Sequence, residues 1–136
     1  MLEYEVSSQR LNAQGSVATA KCAEVALDTC LEGRQDAFNP AELLLAALSA
    51  CMLKGIERVA PILKFGFRDA AIRFHGWRQD SPPKMVKIEY TVWVDTDETD
   101  RRLELLHDNL KRFGTIFNTV SAGCELVGEI RRGRPN

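Results

Sequence analysis

The stretch FNPAELLLAALSACMLKGIERVA, Phe38 to Ala60, constrains the fold more than any other part of the chain. Asn39 is a good helix N-cap and Pro40 suits the first helical position. Glu42 stands where it can reach back to the Asn39 N–H, as in a capping box. The spacing predicts a helix from there to about Ala60, where Pro61 would stop it. Its first half is apolar on every side, which predicts burial all round, and charge returns only at Lys54, Glu57 and Arg58. The run from Leu43 to Leu53 is too short for a membrane span, which takes about 20 residues.

The 136 residues suit one domain, expected to span 1–136, and a chain of this size buries enough surface to fold without staples. The 18 Lys and Arg balance 19 Asp and Glu, so the basic footprint of a non-specific nucleic-acid binder is missing. Acidic residues at positions 3 and 5, with no apolar run behind a basic region, do not read as a signal peptide. The expected compartment is the cytoplasm, and neither nucleic acid nor membrane is an expected partner. Cys22, Cys30, Cys51 and Cys124 form no CxxC pair, and His75 and His107 stand apart from them. Free thiols are expected, and no metal or other cofactor.

Residues 2–30 read as strands, with Tyr4 and Val6 alternating with polar neighbours, a turn near Asn12–Gly15, and a second run from Ser16 to Leu27. Asp28–Asn39 reads as a loop. Ala71–Trp77 and Met85–Val94 alternate as strands across RQDSPP, with Val86, Ile88, Tyr90, Val92 and Val94 on one face. Glu98–Phe113 predicts a second helix, capped by Asp97 or Thr99 and ended by Gly114 in a left-handed conformation. Cys124–Ile130 predicts a last strand, followed by a solvated basic tail. The order is that of an α+β domain.

Cys51 lies in mid-helix on a line with Leu44, Leu48 and Gly55. A small core hydrophobe is the ordinary role of such a residue. A reactive thiol would need a cationic or hydrogen-bonding neighbour, which the pattern does not supply.

Two motifs carry a resemblance. FNPAELLLAALSACMLKGIERVA is similar to the cysteine-helix signature of the OsmC/Ohr thiol-dependent peroxidases, with its cysteine twelve residues after the Asn. KRFGTIFNTV, 111–120, resembles the family's second signature, in which Cys-Pro precedes Asn-Thr or Asn-Ala. The element order agrees over nearly the whole chain. The resemblance implies antiparallel sheets around a central buried helix in an intertwined homodimer, and so apolar a helix is hard to cover with so few small elements. It also implies reduction of organic hydroperoxides or hydrogen peroxide by the first cysteine, which maps onto Cys51.

The chain departs from the family at two places. The second, resolving cysteine falls on Gly114, so the usual intramolecular disulfide has no second sulfur there. The catalytic glutamate of the hydroperoxide-specific branch falls on Ala41; Glu42, nine residues before Cys51, sits roughly opposite it on a straight helix. Glu42 is a catalytic candidate only by approach across a dimer, and its capping role needs no such approach. The family's arginine from an early strand maps best onto Arg10 and next onto Arg34; such a residue is more often merely a solvated surface charge.

Cys124 reads as core or as an unusual resolving thiol, Cys22 and Cys30 as fillers, and Trp77 and Trp93 as outward-facing residues of neighbouring strands. The leading expectation is a one-cysteine peroxidase in which an external thiol reduces oxidised Cys51. The alternative is a catalytically reduced dimer that binds a small hydrophobic ligand, with Cys51 only lining the wall.

Overall fold

Asn39 and Glu42 start helix α1 (Pro40–Leu63) as a reciprocal pair. The Glu42 N–H donates to Asn39 Oδ1 at 2.8 Å, and the Asn39 N–H donates to Glu42 Oε1 at 3.0 Å. The computed structural model describes residues 1–136. They divide into two compact units, Met1–Leu44 and Leu45–Asn136.

The first unit holds an antiparallel sheet of β1 (Ser7–Asn12), β2 (Gly15–Ala20) and β3 (Ala23–Leu27), in that order. The expected single run from Ser16 to Leu27 is two strands. Lys21, at φ 56°, reverses the chain between them, a turn made without glycine or proline and therefore without the usual punctuation. Tyr4 and Val6 lie outside the strands and are exposed. The Asp28–Asn39 loop is organised by the buried Asp28 carboxylate, which accepts the N–H groups of Cys30 and Arg34 at 3.1 and 2.9 Å.

The second unit holds β4 (Asp69–Asp80), β5 (Pro83–Asp95) and β6 (Glu125–Arg132), ordered 4-5-6. β4 and β5 are antiparallel, but β6 runs parallel to β5, so this sheet is mixed rather than wholly antiparallel. A parallel return requires a crossover, made here by α2 (Asp100–Phe113) and α3 (Thr115–Ser121). Thr99 is the N-cap of α2, one of the two expected. α3, which the sequence reading did not separate, occupies the second motif.

Ile88, Tyr90, Val92 and Val94 are buried on one face of β5. Val86 leaves that face because Trp77 pairs with Lys87 and Arg78 with Met85, making Val86 the extra residue of a bulge. The core joins Tyr90, Val92 and Val94 to Met52, Ile56, Val59 and Ala60 of α1, to Leu103, Leu106 and Leu110 of α2, and to Phe117 of α3. Trp77 and Trp93 share the opposite face, where Lys87 lies over one ring and Arg73 over the other.

α1 differs from expectation at both ends. Its first half is not buried all round in the single chain: Leu44, Ala47 and Ala50 are exposed. It also passes through Pro61 and ends two residues later, at Leu63. Lys64 adopts φ 52°; its N–H donates to the Pro61 carbonyl at 3.2 Å, and the Phe65 N–H donates to Ala60 O at 2.8 Å. That is a Schellman ending with lysine in the position usually held by glycine, and Phe65 is buried beneath it. The tail arginines are not free: Arg132 pairs with Asp100 at 2.7 Å and Arg134 with Asp95 at 3.0 Å.

Candidate functional site

Cys51 is half-buried on α1 and packs against the core of the second unit. Facing it is the junction of α2 and α3. A Cβ built on Gly114 would stand 3.2 Å from the Cys51 sulfur, 3.0 Å from the Phe117 Cβ and 2.9 Å from the Leu110 carbonyl oxygen. Gly114 has φ −81° and ψ 114°, so the expected left-handed helix ending is wrong. Glycine is needed here for close approach of backbone to sulfur, since any side chain would meet Leu110 and Phe117.

The junction is held by side chains from two helices. Asn118, the asparagine of the second motif, donates its N–H to the Gly114 carbonyl at 2.9 Å and its side-chain amide to the Arg112 carbonyl at 3.1 Å. Arg58 of α1 donates to the Phe113 carbonyl at 3.2 Å. These contacts satisfy carbonyls that a helix C-terminus otherwise leaves without partners. In the sequence Arg58 is only a charge returning at the surface end of α1, and no local signal marks its tie to Phe113. Gly55 marks the close packing of α1 on α2, where a Cβ would stand 3.0 Å from Leu110 Cδ2.

Of the other candidates, Glu42, Arg10 and Arg34 belong to the first unit and Cys124 to the second. Glu42 is exposed and its carboxylate is engaged at the start of α1. Arg10 is exposed on β1 opposite Ser16 and makes no hydrogen bond or ion pair. Arg34 is already engaged: two of its nitrogens meet Asp36 at 2.9 Å each, and Nη1 donates to the Gln14 carbonyl at 3.5 Å. Cys124 lies just ahead of β6, half-buried, with its thiol toward the Glu125 carbonyl, and burial pushes that thiol above its ordinary value. All four cysteines are free.

A buried polar pair adjoins the site. Tyr90 and His107 are each 4% exposed, and the hydroxyl meets His107 Nε2 at 2.6 Å. Burial, followed by the Lys111 charge, pushes the imidazole below its ordinary value; burial and then Glu104 push the phenol up. The Tyr90 ring stands edge-on to Phe117, which borders Gly114. Seventeen residues separate Tyr90 from His107, and no spacing rule links them.

A half-buried thiol on a packed helix, walled by backbone and with no sulfur at position 114, can take up one oxygen or line a small cavity. No helix is long and apolar enough to cross a membrane. The OsmC-like protein from Mycoplasma pneumoniae superposes on the chain with TM-score 0.88 at 15% identity, covering 98% of this chain and 99% of that one. The organic hydroperoxide resistance protein OsmC from Legionella pneumophila gives 0.77 at 16%, covering 96% and 97%. OhrB of Bacillus subtilis, also an organic hydroperoxide resistance protein, gives 0.67 at 18%, covering 96% and 98%. Likenesses at these identities establish the fold alone, and a comparison with curated proteins finds no match. The sequence model of the OsmC-like protein family matches residues 33–127, a span that takes in Cys51, the Gly114 junction and Asn118, and on that match the chain belongs to this family.

Proposed function

We propose that the chain is a thiol-dependent peroxidase of the one-cysteine type, acting through Cys51. The thiolate attacks the distal oxygen of a hydroperoxide; the S–O bond forms, the O–O bond breaks, and the alcohol leaves with a proton. An external thiol then attacks the sulfenic sulfur, releasing water and leaving a mixed disulfide that a second thiol reduces. The observation that carries this reading is the Cys51–Gly114 contact. It sets backbone against the thiol and offers no second sulfur at that position, as a one-cysteine mechanism requires. The names of the hydroperoxide resistance proteins of like fold add support.

The working unit in this reading is a homodimer. In the first unit, β1 is exposed along its whole length and β3 along nearly all of it, while Leu2, Tyr4, Val6 and Leu11 are more than half exposed. A three-stranded sheet so poorly covered gains little from burial and calls for a partner. Arg10, unpaired on that sheet, is the cation available to a neighbouring thiolate. Sedimentation at micromolar concentration should show a dimer; a stable folded monomer would remove this part of the proposal.

Consumption of cumene hydroperoxide or hydrogen peroxide with a dithiol reductant tests the chemistry. The native chain should turn over and Cys51→Ser should not. Equal rates would defeat the peroxidase reading and leave the ligand-binding dimer as the better account.

A further inference from the structure

Two arginines tie α1 to α2, one at each end of their contact. Arg102 of α2 donates to the Leu63 carbonyl at 2.7 Å, far from Cys51. Arg58 of α1 does the corresponding work at the Cys51 end, through the Phe113 carbonyl. It stands seven residues after Cys51, two turns along the same face, with Gly55 between them. The missing Cβ at Gly55 makes room for Leu110, whose Cδ2 would stand 3.0 Å from it, while Arg58 Nη2 lies at an ordinary contact distance of 3.9 Å, with the guanidinium folded back along α1. Asn118 cannot replace this tie, because it sits on α3 and moves with the segment it binds.

We propose that Arg58 is a positioning residue that sets the size limit on what reaches the Cys51 sulfur. By holding Phe113 it fixes the neighbouring Gly114 backbone as a wall against the thiol. A released junction moves away and admits larger reagents and bulkier hydroperoxides. The hydroperoxide part rests on the peroxidase reading; the steric part does not.

The test therefore starts with alkylation, which needs no peroxide. Iodoacetamide and a dye-sized maleimide are compared on the full chain, and Cys51 modification is read by peptide mass spectrometry. Arg58→Ala should raise the ratio of bulky to small reagent rates at Cys51 about fivefold, the equivalent of losing a hydrogen bond of about 1 kcal/mol. Arg58→Lys, which keeps a donor for the Phe113 carbonyl, should restore most of the native ratio. An unchanged ratio in Arg58→Ala overturns the proposal. So does an equal gain at Cys124, which would mark general loosening.

If the native chain consumes hydroperoxide, Arg58→Ala should also shift kcat/KM toward cumene hydroperoxide over hydrogen peroxide, by the same factor. Absence of turnover in the native chain sinks the peroxidase reading and leaves the alkylation result standing.

Discussion

The Gly114 backbone lies so close to Cys51 that a Cβ added there would be 3.2 Å from the sulfur. In a disulfide each Cβ stands about 3 Å from the partner's sulfur, so position 114 is already near bridging range. Gly114→Cys should form a disulfide with Cys51 after one equivalent of peroxide. The reduced variant should lose about 1–3 kcal/mol, because its Cβ crowds the Leu110 carbonyl and Phe117. Thiol titration and a denaturant melt check both halves. Five thiols still titrating after oxidation, instead of three, would show that the junction does not face the sulfur as described.

In the native chain the same contact predicts a different fate. Stoichiometric hydroperoxide should leave Cys51 as sulfenic acid, and excess should drive it to sulfinic acid. Peptide mass spectrometry distinguishes the two. Cys124 is the competing thiol; burial raises it, which lowers its thiolate fraction at neutral pH. A Cys51–Cys124 disulfide would end the one-cysteine mechanism while keeping the peroxidase.

At the start of α1 structure and chemistry can be separated. Asn39→Ala should cost about 0.5–2 kcal/mol, since it removes the acceptor for the Glu42 N–H. Glu42→Gln keeps a side chain able to complete the capping box, so its melting should match the native chain. Turnover should match as well. A fall in turnover at unchanged melting would put Glu42 beside a partner's Cys51.

His107 makes stability depend on pH. Its folded value is lowered by burial and by Lys111, against smaller opposing effects of Glu104 and Asp108. The unfolded imidazole titrates near its ordinary value of about 6.5. Above that value both states are neutral and the stability is fully present. As pH falls below it, the unfolded chain takes up a proton that the folded chain resists, so stability drops down to the folded value. Denaturant midpoints between about pH 7.5 and 5.5 should fall for the native chain and stay flatter for His107→Asn. Identical slopes would contradict this. Tyr90→Phe should cost about 1–3 kcal/mol by leaving the buried His107 nitrogen without its partner.

What the sequence determined by itself was local. The Asn39–Glu42 capping box spans four residues, and the alternation of Ile88, Tyr90, Val92 and Val94 is set by the pleat, so both were legible without coordinates. Cys51 could be singled out through its motif. Lys64 could not be foreseen as the residue that closes α1: it lacks glycine's freedom to turn left-handed, and the Phe65 that follows it is buried in the core.

The meaning of Gly114 also belonged to the tertiary structure. By local rules a glycine after a helix ends it; here it lets backbone pack on the sulfur of a helix more than sixty residues earlier, while the Leu110 carbonyl and Phe117 crowd any Cβ. The Tyr90–His107 bond, the parallel return of β6 and the Arg58 tie arise in the same way. Periodicity reports which face of an element is apolar, because that depends on neighbours within a turn or two. Which atoms from distant segments meet at that face depends on how whole elements come together, and spacing along the chain carries no record of it.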